Sequence, residues 1–326
     1  AAATAAAISA AGGTTVAAVA AAAITAAGTT AAAAAKSDPQ GSPCIGRSLR
    51  PAGGSCLFKR SFMLWNAKNG EVTLDGTEMS YVSFGRGKRT LVLLPGLSDG
   101  LVTVKGKALL LAAPYIPFLD RYTVYMFSRK NDLRENASIR DMARDQAKAL
   151  DKLGKNRSAI LGVSQGGMIA QYLAIDYPEL VGKLVLAVTA PRANSLVQEC
   201  VKQWISFAQQ NNHKKLMIDT AEKSYSPNYL KKYRMFYPIL GAVGKPSNYD
   251  RFLVNANAIL GFDASEELHK ICCSTLIIGG GLDKTVGVQA SYELNQKIAN
   301  SELHVYADLG HAAYEEAKDF NRRVFQ

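Results

Sequence analysis

The stretch "SAILGVSQGGMIAQYLA" runs from a continuous apolar segment, through a serine set between glycines, straight into an apolar helical pattern. An apolar run of strand length needs no polar alternation when both of its faces are covered, which is the situation inside a parallel sheet. Similar runs recur as "RTLVLLPG", "YTVYMFS" at 122–128, "KLVLAVTA" at 183–190, "STLIIGG" and "ELHVYAD". Helical patterns lie between them: "SIRDMARDQAKALDKLG", with Ser138 as N-cap and Gly154 as stop, then "VQASYELNQKIA" and "HAAYEEAKDFNRRVF". Strand–helix–strand alternation of this kind predicts an α/β fold, a mostly parallel central sheet with helices on both faces.

Two further signals refine the plan. "GEVTLDGTEMSYVSF" predicts a hairpin turning at Asp75-Gly76. "GRGKRT" at 85–90 lacks the spacing of a phosphate-binding loop and is expected to be a hairpin turn between strands. The alternation stops after residue 190, where "SLVQECVKQWISFAQQ" and "YLKKYRMFYPIL" are helical, so an inserted helical cap is expected. The expected organisation is an Ala-rich low-complexity tract at 1–35, a linker at 36–60 and a core at 61–190. A cap at 191–268 and the second part of the core at 269–326 complete it. The last expected helix has no stop signal before "RRVFQ", so a truncated terminus is expected there.

Composition narrows the function. The chain of 326 residues carries a formal net charge of +11, of which about +4 lies before residue 61, where five basic residues face one acid. The remainder is spread thinly, with no basic stripe or recognition motif, so nucleic acid is not an expected partner. Residues 1–35 lack the Leu, Ile, Val and Phe that favour insertion, and no stable membrane span is expected. The tract also lacks the basic start and strong apolar centre of a secretory signal. Five cysteines, at 44, 56, 200, 272 and 273, form no CxxC pair and suit a reducing, cytoplasmic compartment. No metal site or cofactor fingerprint is present.

The serine run carries the chemistry. Gly162-Val163-Ser164-Gln165-Gly166 fits G-x-S-x-G, a sharp strand-to-helix turn that exposes a serine hydroxyl at the edge of a sheet. Side chains two residues either side would collide with it, which assigns Gly162 and Gly166; Gly167 is expected to let the helix pack closely on the sheet. The helix N-terminus then faces any negative charge that develops at the serine.

With "GGMIAQYLA", "LLPG", "GGGLD" and "DLGH" added, residues 71–326 resemble the α/β-hydrolase fold superfamily, in its capped serine esterase and lactonase branch. The resemblance implies Ser164 as nucleophile, His311 as base and Asp283 as the acid orienting it, in the chain order of this fold. It implies backbone N–H donors from Gln165 and Leu97 as the oxyanion hole, Pro95-Gly96 standing where many relatives have His-Gly. His213, His269 and His304 read as packed or surface residues, and Asp263, Glu266, Glu267 and Asp308 as weaker acids. In the cap, Trp204, Phe207, Tyr233 and Phe236 are candidates for an apolar substrate pocket.

The implied activity is cleavage of a carboxylic ester, thioester or lactone through an acyl-enzyme, on a small-molecule substrate and without a cofactor. The alternatives are an acyltransferase using the same triad and a non-catalytic ligand receptor. After 122–128, dehalogenase-like and many C–C-bond hydrolase relatives carry acid-Arg-Gly-x-Gly-x-Ser. "SRKNDLREN" departs from it and sets the chain apart from those branches.

Overall fold

A computed structural model describes residues 65–242 and 244–326; the tract at 1–35 and the linker at 36–60, with Cys44 and Cys56, lie outside the described residues. Eight strands form one sheet in the order β1-β2-β4-β3-β5-β6-β7-β8. They are β1 (Lys68–Leu74), β2 (Thr77–Gly85), β3 (Arg89–Leu94), β4 (Tyr122–Phe127), β5 (Ser158–Val163), β6 (Val181–Ala187), β7 (Ser274–Gly280) and β8 (Ser301–Tyr306). Pairing is antiparallel at β1–β2 and β2–β4 and parallel from β4 through β8. The central strands are the apolar runs of the sequence, and "LVLL" of β3 is buried throughout.

Asp75 and Gly76 both have positive φ, 51° and 83°, the conformation of the tight turn that matches strand twist. The segment 85–90 is not the expected hairpin turn, because β2 and β3 are separated in the sheet by β4. It crosses the start of β4 so closely that a Cβ on Gly87 would lie 1.8 Å from the Arg121 carbonyl carbon. Its glycines serve that crossing.

Helices cover both faces. One face carries α2 (Ile139–Lys152), α3 (Gln165–Asp176) and later α8 (Val288–Lys297), whose apolar sides merge with β3, β5 and β6 into one core. The other carries α1 (Ala108–Ala112), packed with residues of the C-terminal segments against Leu93, Val124 and Leu161. The expected helix over 311–325 is two short pieces, α9 (Ala313–Glu316) and α10 (Phe320–Phe325). Between β6 and β7 run α4 (Ser195–Gln209), α5 (His213–Ser224), α6 (Pro227–Tyr233) and α7 (Asp250–Leu260). No helix among the described residues is long and apolar enough to cross a membrane.

The start of α2 illustrates how local sequence fixes an element. Ser138 Oγ accepts from Asp141 N, and the Asp141 carboxylate accepts in return from Ser138 N at 3.0 Å, a reciprocal capping box. Removing it leaves an orphan N–H at a solvent-facing helix end. Ser138→Ala should lower stability by about 1 kcal/mol, read as a reduced midpoint with unchanged slope in urea denaturation.

Candidate active site

Ser164 stands between the end of β5 and the first residue of α3, with φ 53° and ψ −118°. A non-glycine residue in this region costs on the order of 1–3 kcal/mol and persists only where its surroundings hold it. Three hydrogen bonds do so: Ser164 N donates to Ala187 O at 2.9 Å, while Gly167 N and Thr189 Oγ1 donate to Ser164 O at 2.9 and 2.7 Å. Backbone crowding supplies the rest. A Cβ on Gly166 would come within 1.9 Å of Leu94 O, and one on Gly162 within 2.5 Å of Gly166 O. One on Gly167 would meet Thr189 at 2.6 Å, the close packing of helix on sheet that the sequence predicts.

The structure brings the three candidate side chains together across the sheet edge. His311 Nε2 lies 2.9 Å from Ser164 Oγ, and His311 Nδ1 lies 2.8 Å from Asp283 Oδ2. Asp283 follows β7, and its second oxygen, Oδ1, accepts from Thr285 N at 2.7 Å and Val286 N at 2.9 Å. Burial alone would push this carboxyl up; facing His311 and the two backbone N–H groups outweighs burial and holds it below the usual carboxylate range. It is therefore ionised at neutral pH and fixes the imidazole with Nδ1–H toward itself, leaving Nε2 free to accept from the serine.

Leu97 opens a 3-10 turn, Leu97–Gly100, directly after β3, and Gln165 is the first residue of α3. The Gln165 N–H is thus among the helix-start donors that have no partner within the helix. Gly96, Leu97, Ser98, Ser164 and His311 line one cavity of about 80 Å³. Its other wall comes from the β6–β7 insert: Trp204, Thr220, Ala221, Ser224 and Tyr225. Of the four aromatic candidates for the pocket, only Trp204 is there, its Nε1 donating to Asp219 Oδ2 at 2.8 Å. Phe207 packs on the main core instead. Tyr233 lies against Tyr229 at 4.3 Å between centroids and beside Phe236, in a small cluster that joins the insert together. Helical spacing told that these rings are half-buried but not against what.

Other sequence candidates fall away from the cavity. His213 faces the Tyr249 hydroxyl at 2.9 Å, His304 lies within β8, and Glu267 is paired with Arg140. Tyr314 and Glu315, which carry no motif in the sequence, line the cavity just past His311. Tyr225 donates to Glu315 Oε2 at 2.5 Å, Ser226 N to Glu316 Oε1 at 2.9 Å, and Ala312 N to Ser224 O at 2.8 Å. These bonds fasten the α5–α6 junction to the turn that carries His311.

A mostly parallel sheet, with a strained serine at the C-terminal ends of its strands and an imidazole–carboxylate pair beside it, defines the class as α/β. The chain belongs to the alpha/beta hydrolase fold family, whose model matches residues 89–318. It is 28% identical to the 2-hydroxy-6-oxononadienedioate/2-hydroxy-6-oxononatrienedioate hydrolase of Burkholderia vietnamiensis, over 78% of this chain and 93% of that protein. In fold it is similar to an alpha/beta hydrolase enzyme from a Medee basin deep-sea metagenome library, with TM-score 0.68 and 20% identity over 78% of this chain and 95% of that one. It is likewise similar to the enol-lactonase of Burkholderia xenovorans, with TM-score 0.64 and 19% identity over 78% and 98%.

Burial lifts the Glu315 carboxyl from an ordinary 4.5 to about 8, against hydrogen bonds from Tyr225 and Tyr314 that lower it. The folded protein therefore keeps a proton that the unfolded chain has lost, and stability falls as pH rises from about 4.5 through about 8. Glu315→Gln cannot ionise and should flatten that fall. Thermal melts of both proteins across this range test it; parallel melting-temperature profiles would refute the assignment.

Proposed function

We propose that the protein is a serine hydrolase that cleaves a carboxylic ester, or a related thioester or lactone, of a small uncharged acyl group. The observation that carries this reading is the continuous chain from Ser164 Oγ through His311 to Asp283, at 2.9 and 2.8 Å. Ser164 Oγ attacks the substrate carbonyl while His311 Nε2 takes its proton; the N–H groups of Leu97 and Gln165 receive the oxyanion. As the tetrahedral adduct collapses, the C–O bond breaks and His311 returns the proton to the leaving alcohol. Water then attacks the acyl-enzyme, giving its proton to His311; as the second adduct collapses, the acyl–Oγ bond breaks and His311 returns that proton to Ser164 Oγ, releasing the acid.

Size and charge of the cavity support the substrate class. About 80 Å³ suits an acetyl-sized group rather than a long chain, and no Lys or Arg is among the lining residues. The one carboxyl among the lining residues, Glu315, is held mostly neutral at pH 7. An anionic substrate would lose its hydration here without gaining a cation.

Hydrolysis of a C–C bond in a 2-hydroxy-6-oxo acid is the second reading, favoured by relatives named as hydrolases of such acids. The departure at "SRKNDLREN" does not remove that branch from consideration, since those relatives match across the segment. The wall chemistry favours the neutral ester.

Initial rates on p-nitrophenyl acetate, butyrate and octanoate, and on a 2-hydroxy-6-oxo-dienoate, separate the readings. Acetate should be turned over fastest, and Ser164→Ala should lose at least roughly 10³-fold of kcat. Equal rates for wild type and Ser164→Ala would sink the serine mechanism; turnover of the dienoate alone would replace the ester reading by the C–C one.

A further inference from the structure

Behind the loop that holds Leu97 lies a buried charged cluster that the triad does not use. Arg129, two residues past β4, is 1% exposed, and Asp99 and Gln165 beside it are 2% and 0% exposed. A single nitrogen of the guanidinium, Nη2, donates to Pro95 O at 2.6 Å and to Gln165 Oε1 at 2.9 Å. Pro95 begins the turn that presents the Leu97 N–H, and Gln165 owns the second N–H. One nitrogen therefore bridges the two backbone segments from which the oxyanion donors come.

The cluster extends into the β6–β7 insert. Asp99 Oδ2 accepts from Arg129 N at 2.9 Å and from Arg251 Nη2 at 2.8 Å, and it faces Arg129 Nη1 at 3.7 Å. Arg251, in the first turn of α7, also donates to the carbonyl oxygens of Asp99 and Arg129. From the same helix, Asn255 O accepts from Gln165 Nε2 at 2.7 Å. Both ends of the Gln165 amide are thereby fixed, one by Arg129 and one by α7. Two guanidinium groups against one carboxylate leave a residual positive charge. Burial pulls Arg129 down to about 10, so the group is still charged at neutral pH.

We propose that Arg129 is a positioning residue for the oxyanion hole: it clamps Pro95 and Gln165 so that the Leu97 and Gln165 N–H groups converge on one point. The cluster's residual positive charge stands behind that point and favours the anion over the neutral ground state. This rests on the serine-hydrolase reading above. An arginine suits the place because Nη2 can hold the two acceptors while Nη1 faces the Asp99 carboxylate at 3.7 Å, two positions that a lysine's compact ammonium cannot occupy together. The interaction strengthens as negative charge develops, so its loss should appear in kcat and not in substrate affinity.

The test uses the full chain carrying Arg129→Gln or Arg129→Lys. A fluorophosphonate end-point counts the chains in which Ser164 and His311 are assembled, while its rate and kcat on p-nitrophenyl acetate report the oxyanion hole. In Arg129→Gln, labelling should approach the wild-type end-point. The labelling rate and the kcat per labelled chain should both fall about 10- to 100-fold, with KM within about threefold. Arg129→Lys should fall between the two. A merely structural role would lower the end-point and leave kcat per labelled chain unchanged, which overturns the proposal. Should neither variant melt cooperatively, Gln165→Leu decides: it cuts the Arg129–Gln165 bond and leaves every charge in place. Reduced kcat at constant KM supports the clamp, and unchanged kcat overturns it. A wild-type protein that neither labels nor turns over ester would remove the hydrolase reading and the clamp together, whereas active Arg129 variants would remove the clamp alone.

Discussion

The tightest constraint in the molecule is the backbone contact between the β5–α3 turn and the end of β3. A methyl group at Gly166 would sit 1.9 Å from Leu94 O, so the two chain segments meet with no side chain between them. Strand order makes that contact productive. β5 lies between β3 and β6, with β7 and β8 beyond. Ser164 therefore has the loop of Leu97 on one flank and the loops of Asp283 and His311 on the other. The candidate backbone donors and the imidazole–carboxylate pair arrive from opposite sides because of the strand order, and the strained φ of 53° places Ser164 between them.

The helical insert is tied to both flanks. On the base side, the residues joining α5 to α6 bond to Ala312, Glu315 and Glu316. On the oxyanion side, α7 reaches Asp99, Arg129 and Gln165. The two attachments have opposite electrostatic character. Burial raises Glu315 to about 8, so this base-side carboxyl is mostly neutral at pH 7, while the oxyanion-side anchor keeps an excess guanidinium. On the proposed serine-hydrolase reading, that excess positive charge favours a transient negative charge beside Leu97 and Gln165.

Much of this was legible in the residues, for definable reasons. The sheet announced itself through uninterrupted apolar runs, and the elbow through glycines whose Cβ positions turn out to be filled by backbone. Asp283 and His311 could be expected because the strand–turn–residue context around each is local. What local sequence does not carry is which elements the topology brings side by side. "GRGKRT" has the composition of a hairpin, yet its strands are not neighbours, since β4 lies between them. Phe207, Tyr233 and Phe236 have the spacing of a buried helix face, and only three-dimensional packing decides that Phe207 joins the main core, that Tyr233 and Phe236 join the insert together, and that Trp204, Tyr225 and Tyr314 line the cavity. Arg129 stood out only as part of "SRKNDLREN", which departs from the pattern that the family resemblance led one to expect. Its burial depends on Asp99, thirty positions earlier, and Arg251, far later in the chain.

Charge illustrates why function has to be argued from the site. The chain is basic overall, at +11, which by itself would point to acidic partners. The cavity inverts that expectation: its lining has no lysine or arginine, and the buried guanidinium groups are turned away into Asp99 and backbone carbonyls. Two of its three aromatic wall residues are also held by polar anchors, Trp204 through Asp219 and Tyr225 through Glu315. Widening the cavity would break those bonds in a partly dry environment, at a cost on the order of 1–3 kcal/mol for each group left unpaired. On the proposed ester reading, a small neutral acyl group fits without that cost, and the walls would then select by volume as well as by charge.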